Sequence, residues 1–300
     1  MKCITWERRP RLAEYWFDSH DGLRLYSRVY AAAAAGSPVV LCLHGLMRNS
    51  RDFLELAARL AARHRLIVPD VRGRGFSARD PNYNNYQIPV YLEDLLRLLA
   101  GLGAARVSII GTSMGGLMAM VLAAMHPQLV SRIVLNDVGP EVDPAGLERI
   151  RGYAGKAAPV RSWPEAVAQL RADYASSWPG LSDARWDEIA RLSYRANAQG
   201  VPEVDADPLI REPLKSTSAA APDLWPLWRS LARLPILAIR GAHSDILSVT
   251  TLARMQREKP DLEVLTVANR GHAPLLDEPG CVAAIERFLA GSARGTREAT

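Results

Sequence analysis

Short, wholly apolar runs separated by stretches of helical spacing constrain this chain more than any other feature. Val39-Val40-Leu41-Cys42-Leu43 is the clearest run, Leu66-Ile67-Val68, Ile133-Val134-Leu135 and Ile236–Ile239 repeat the pattern, and Val107–Ile110 and Leu262–Val267 read as further strands with a polar residue or two among the apolar ones. A strand with helices on both faces has no wet side, so it reads as a continuous apolar run. Between these runs, Asp52–Leu60, Tyr91–Leu99, Met114–Met125, Leu252–Arg257 and Val282–Leu289 space their apolar residues as helices do. Leu23–Val29 alternates apolar and polar residues, as a half-buried strand does. Strands interleaved with helices predict the α/β class, with a mostly parallel central sheet flanked by helices.

One stretch breaks the rhythm. From about Pro140 to Ala221 there are helical patterns but no buried strand run, and five of the seven tryptophans fall between residues 163 and 228. The expected organisation is a core of residues 1–139 and 223–300. Residues 140–222 form a helical insertion, a cap folded over one edge of the sheet. The aromatics serve first to glue that insertion to the core.

Composition narrows the function classes. The 300 residues are 48% hydrophobic and 23% charged, ordinary for a globular protein and unlike a disordered one. The net charge is +5, but 33 of the 37 basic residues are Arg and they are scattered. The densest groups, Arg8-Arg9-Pro10-Arg11 and Arg72-Gly73-Arg74, make no basic face, so no nucleic-acid partner is expected. Cys3, Cys42 and Cys281 form no CxxC pair and argue against a disulfide framework or a cysteine metal site. Met1–Arg11 lacks the apolar stretch of a signal peptide, and no run is long enough to span a bilayer. The five-residue Ala31–Ala35 run ends in a turn signal, and the polar tail Gly291–Thr300 reads as frayed. The expectations are therefore a cytoplasmic location, a small-molecule substrate, and no membrane, metal or cofactor. Monomer and homodimer are both left open.

The chemistry concentrates in Gly111-Thr112-Ser113-Met114-Gly115-Gly116, which follows one strand run and opens a helical one. A sharp strand-to-helix turn forces the middle residue into a strained backbone and leaves no room for side chains at 111 and 115. Ser113 is thereby presented at the carboxyl edge of the sheet as a nucleophile. The N–H of Met114, at the helix start, faces the place where an oxyanion would form. Leu43-His44-Gly45-Leu46 follows the first buried strand, and Leu46 N–H is the candidate second donor, with His44 bracing the loop. Of six histidines, His272 sits in Asn269-Arg270-Gly271-His272-Ala273-Pro274, just past a strand, and is expected to be the base. The orienting acid is expected at Asp245, because it lies between Ser113 and His272 in chain order and nearer the histidine; Asp137 is the alternative. Trp163, Trp178, Trp186 and Trp225 are candidate substrate-binding residues.

These residues resemble the α/β-hydrolase fold superfamily, of the kind with a helical cap. His44-Gly45, the Asp70–Ser77 loop (similar to DxRGxGxS), the elbow, Asp245 and Gly271-His272 occur in the family's order. The resemblance implies a serine hydrolase that needs no cofactor. Through an acyl-enzyme on Ser113 it would cleave a small to medium, mainly apolar carboxylic ester, thioester or lactone. Ser at 113, where epoxide hydrolases and haloalkane dehalogenases carry Asp, argues against those two activities. The alternatives are a carbon–carbon bond hydrolase or lactonase on the same triad, a perhydrolase-like enzyme, and a receptor-like binding protein with slow or no turnover. The loop His44–Arg48 departs from the HGxGPG usual in the carbon–carbon hydrolases.

Overall fold

The computed structural model describes residues 12–32, 34, 36–153, 159–215 and 223–291. The charged start, Cys3, part of the Ala31–Ala35 run, the Ala221-Pro222 boundary and the tail beyond Gly291 lie outside the described residues. The chain opens with an antiparallel hairpin, β1 (Leu12–Asp18) and β2 (Arg24–Tyr30). There follow β3 (Val39–Leu43), α1 (Leu54–Leu60), β4 (Arg65–Asp70), α2 (Ile88–Gly101), β5 (Val107–Thr112), α3 (Met114–Met125) and β6 (Val130–Asn136). Next come α4 (Pro144–Tyr153), α5 (Trp163–Tyr174), α6 (Asp183–Ser193), β7 (Tyr194–Ala196), β8 (Pro202–Val204), α7 (Glu212–Lys215) and α8 (Trp225–Ser230). The chain closes with β9 (Ile236–Gly241), α9 (Val249–Glu258), β10 (Glu263–Val267) and α10 (Pro279–Leu289).

Eight strands form one sheet in the order β1-β2-β4-β3-β5-β6-β9-β10, parallel from β4 to β10. The apolar runs occupy its centre: every residue of β9, and all of β5 except Thr112, is buried. Helices pack on both faces. One face holds α2, α3 and α8 over Leu41, Ile109 and Leu135; the other holds α1 and α10 over Val40, Ile110 and Val134. This alternation along each strand is why the central runs are apolar at every position. Among the described residues, no helix is long and apolar enough to cross a membrane, and no cluster of His, Cys, Asp or Glu could hold a metal ion. Cys42 and Cys281 are buried free thiols.

Two elements differ from the sequence-based expectation. Strand β1 is an additional edge strand whose side chains remain largely exposed. It is held by cross-strand aromatics, with Trp16 edge-on to Tyr26 at 4.9 Å, rather than by an apolar run. The stretch between β6 and β9 is also not purely helical. A small hairpin pairs Tyr194 with Val204, and its turn is closed by Asn197 Oδ1, which accepts from the N–H groups of Gln199 and Val201.

Parallel strands carry their loops to one edge. The segments after β3, β5, β6, β9 and β10 therefore converge at the carboxyl end of the sheet, where α/β proteins build their sites.

Candidate active site

The turn from β5 into α3 is as tight as its glycines imply. A Cβ on Gly111 would lie 2.4 Å from Gly115 O, and one on Gly115 would lie 2.2 Å from Leu43 O. Both contacts are with backbone, which cannot yield. Ser113 sits at φ 52° and ψ −116°, a region costly for any residue with a side chain, and its N–H is tied to Asn136 O. The strain lifts the hydroxyl off the helix start and aims it at the neighbouring loops.

His272 arrives from the loop after β10, and its Nε2 lies 2.9 Å from Ser113 Oγ. Its Nδ1 lies 2.8 Å from Asp137 Oδ2. A carboxylate only accepts, so Nδ1 carries the proton and Nε2 is left to accept from the serine hydroxyl. The connection between α5 and α6 pins this loop. Trp178 Nε1 donates to Ala273 O at 2.8 Å, and Gly271 N–H donates to Ser177 O at 2.6 Å. Asn136 adds a second tie, donating from Nδ2 to Pro274 O and Thr112 Oγ1.

The acid is therefore a correction. The loop after β9 does not bring Asp245 to the imidazole; Arg149 on α4 binds Asp245 through Nε and Nη2, at 2.5 and 2.8 Å. Burial alone would raise the Asp245 carboxyl, but the Arg149 guanidinium outweighs it and holds it below its ordinary value. Asp137, at the end of β6, takes the position instead. It is fully buried at φ 58°, and accepts from Gly241 N–H at 2.7 Å and Ser244 Oγ at 2.5 Å as well as from His272.

The loop after β3 is braced from behind. His44 Nε2 accepts from Val71 N–H at 3.0 Å, so its proton is on Nδ1, which donates to Gly45 O at 2.8 Å. Arg48 N–H donates to the same carbonyl. Holding Gly45 O fixes the Gly45–Leu46 peptide, and a trans peptide points its N–H the opposite way from its C=O. Burial lowers the His44 pKa to about 4 and keeps the ring neutral for this task. Arg74, which sequence reasoning left without a role, fixes the next peptide. It is fully buried, lies over the rings of Tyr86 and Tyr91, and donates from Nε to Leu46 O at 3.0 Å. Its one sequence signal was its place in the Asp70–Ser77 loop. Arg72 in the same loop is buried among Asp21, Asp80 and Asp94 and shapes the loop from outside the site.

A cavity of about 90 Å3 opens over Ser113 and His272, bounded by Leu46, Met47, Tyr174, Trp178, Ile189 and Leu275 among others. Of the four candidate tryptophans, Trp178 is the one in this wall. Trp186 packs behind it at 5.8 Å. Trp163 carries the Arg191 guanidinium on its ring, and Trp225 donates to Glu141. None of these three lines the cavity, and Trp225 belongs to the sheet core with α8.

Comparison with known proteins agrees with this architecture. The family model for the α/β hydrolase fold matches residues 38–279. A 3-hydroxybutyrate-oligomer hydrolase of Cupriavidus necator is 34% identical over 94% of this chain and 99% of its own length. A 2-(acetamidomethylene)succinate hydrolase of Mesorhizobium japonicum is 29% identical over 78% of this chain and 81% of its own. The solved structure of an α/β hydrolase from Novosphingobium aromaticivorans superposes with a TM-score of 0.88 at 43% identity, covering 94% of this chain and 99% of that one. The chain belongs to the α/β-hydrolase fold family, and it is an enzyme of the hydrolase class.

Proposed function

We propose that the protein is a serine esterase acting on short hydroxyacid esters, with Ser113 as nucleophile, His272 as base and Asp137 as orienting acid. The observation that carries this reading is the unbroken chain from Ser113 Oγ through the imidazole to the buried Asp137 carboxylate. As Ser113 Oγ bonds to the ester carbonyl carbon, its proton passes to His272 Nε2 and the carbonyl π pair moves to oxygen. The N–H groups of Leu46 and Met114 receive that oxyanion. Collapse breaks the C–O bond, and the departing alcohol takes the proton from Nε2. Water then repeats the sequence on the acyl-enzyme and leaves the acid.

The insertion acts as the cap: Trp178, Tyr174 and Ile189 roof the cavity and keep bulk water from the acyl-enzyme. The substrate class rests on the cavity's mainly apolar wall and on the 34% identity to a hydrolase of 3-hydroxybutyrate oligomers. The rival, a carboxylated substrate like that of the Mesorhizobium relative, is less well supported. Arg48 and Arg185 border the cavity, but Asp52 holds the first, and Glu188 and Asp277 hold the second.

The deciding experiment compares p-nitrophenyl butyrate turnover in wild type and Ser113→Ala. The expected loss is about 10⁴-fold or more with an unchanged circular-dichroism spectrum. Rapid fluorophosphonate labelling of Ser113 belongs with it. Wild-type turnover by the variant would overturn the assignment.

A further inference from the structure

Met47, Arg48 and Tyr174 line the Ser113 cavity and also line a second cavity of about 450 Å3, so the two adjoin across a wall of three side chains. The second cavity lies between α5 and the β7–β8 hairpin, with apolar walls from Val160, Leu170, Val201 and Val204. One polar group stands out there. Asp173 is half-buried, accepts from Gln169 Nε2 at 3.1 Å, and has its carboxyl raised by burial. The other charged side chains around this cavity are of both signs, Arg79 and Glu203, with Arg48 bonded to Asp52. The space therefore suits a neutral chain that carries a hydroxyl.

Size supports the same division. At roughly 10–15 Å3 per water-sized group, the first cavity holds about six to nine such groups and the second about thirty or more. The first thus takes about one short hydroxyacid unit, and the second has room for several.

We propose that the second cavity is a subsite for the hydroxyl-ended remainder of an oligomeric hydroxyacid ester, with Asp173 accepting the terminal hydroxyl. This rests on the ester reading above and adds a chain-length and end-group preference to it.

The test uses the full-length enzyme with the dimer, trimer and tetramer of 3-hydroxybutyrate, beside p-nitrophenyl butyrate. Wild-type kcat/KM is expected to rise about tenfold from dimer to trimer, as more apolar chain is buried. A trimer O-methylated at its hydroxyl end loses most of that gain, whereas a trimer methylated at its carboxyl end keeps it. Val204→Trp fills the cavity and removes the gain, while p-nitrophenyl butyrate turnover stays within about twofold. Asp173→Ala removes the acceptor, lowers trimer kcat/KM and leaves the O-methylated trimer where it was. Val201→Phe, from the other strand of the hairpin, replaces Val204→Trp if that variant does not fold. The end-group comparison needs no variant at all.

A flat length series, equal rates for the two methylated trimers, or a gain that survives in a folded Val204→Trp would each overturn the subsite. If p-nitrophenyl butyrate is still hydrolysed through Ser113 in those cases, the ester reading stands without it. Absence of turnover on every ester would sink both.

Discussion

Asp137 and Asp245 follow neighbouring strands, β6 and β9, at the same edge of the sheet. Their surroundings differ in kind. The Asp137 side chain is 0% exposed and the Asp245 side chain 35%. Asp137 accepts from a backbone N–H at the end of β9, from a hydroxyl in the loop that follows it, and from His272. Asp245 faces Arg149 on α4. The β9 loop still serves the imidazole, by another route. Its Gly241 N–H and Ser244 hydroxyl cradle the carboxylate that β6 supplies. A buried acid needs several fixed donors to stay ionised and aimed, and only one of the two loops is surrounded by them.

The comparison breaks most directly at the acid. Asp137→Asn is expected to cost about 10⁴ in kcat, because an amide can donate to Nδ1 and hold the imidazole in the wrong tautomer. Asp245→Asn should change kcat by less than about threefold, since its carboxylate makes no bond to the imidazole. Steady-state kinetics on p-nitrophenyl butyrate measures both. A larger loss at Asp245 would reverse the assignment of the two carboxylates.

A double variant sharpens the same contrast. Freed from its guanidinium by Arg149→Ala, Asp245 can turn to the imidazole left by Asp137→Asn. A recovery of about tenfold in kcat over Asp137→Asn alone is expected, well short of wild type because the second carboxylate lacks a cradle. No recovery would mean that the Asp245 backbone, and not Arg149, keeps it away.

Which parts of this were legible in the sequence follows from how local each signal is. The elbow is a local steric problem, so Gly111, Ser113 and Gly115 announce it within five residues. The central strands announce themselves because both faces are buried. The acid is not local. Chain order favoured Asp245, but the choice was made by φ 58° at Asp137 and by donors on a loop more than a hundred residues away. Strand β1 escaped notice because its exposed side chains leave no apolar run, although Tyr15-Trp16-Phe17 is a strand-like cluster. The β7–β8 hairpin escaped because three residues are too few to show a period. Arg74 escaped because nothing in a sequence distinguishes a buried guanidinium from a solvated one, and the arginines here are abundant.

The cradle itself is the next point of attack. Ser244→Ala removes one donor to the Asp137 carboxylate while leaving Gly241 N–H and His272 in place. A hydrogen bond to a charged group contributes about 1.5–3 kcal/mol, so kcat is expected to fall roughly tenfold to a hundredfold. KM should change little, because the Ser244 hydroxyl bonds to the acid and to its own loop. Thr at 244 keeps the hydroxyl and should restore most of the rate. Equal losses in the Ala and Thr variants would mean that the loop turn, and not the donor, is what matters.

The smallest effect belongs to the pair at the insertion. Arg149 holds the Asp245 carboxyl below its ordinary value, so the folded state keeps the charge to lower pH than the unfolded state does. A group of that kind stabilises the fold above its unfolded pKa, near 4, and the contribution disappears as pH falls through the folded value. With Asp245 about a third exposed, solvent screening limits the pair to roughly 1 kcal/mol or less. Urea unfolding of Asp245→Asn should therefore show a small loss at pH 7 that closes as pH falls through the folded value. The same experiment on Asp137→Asn should show a loss several times larger at pH 7, because the amide meets donors built for a carboxylate at a fully buried position. Equal losses in the two variants would erase the distinction drawn here between a caged acid and one merely paired at the surface.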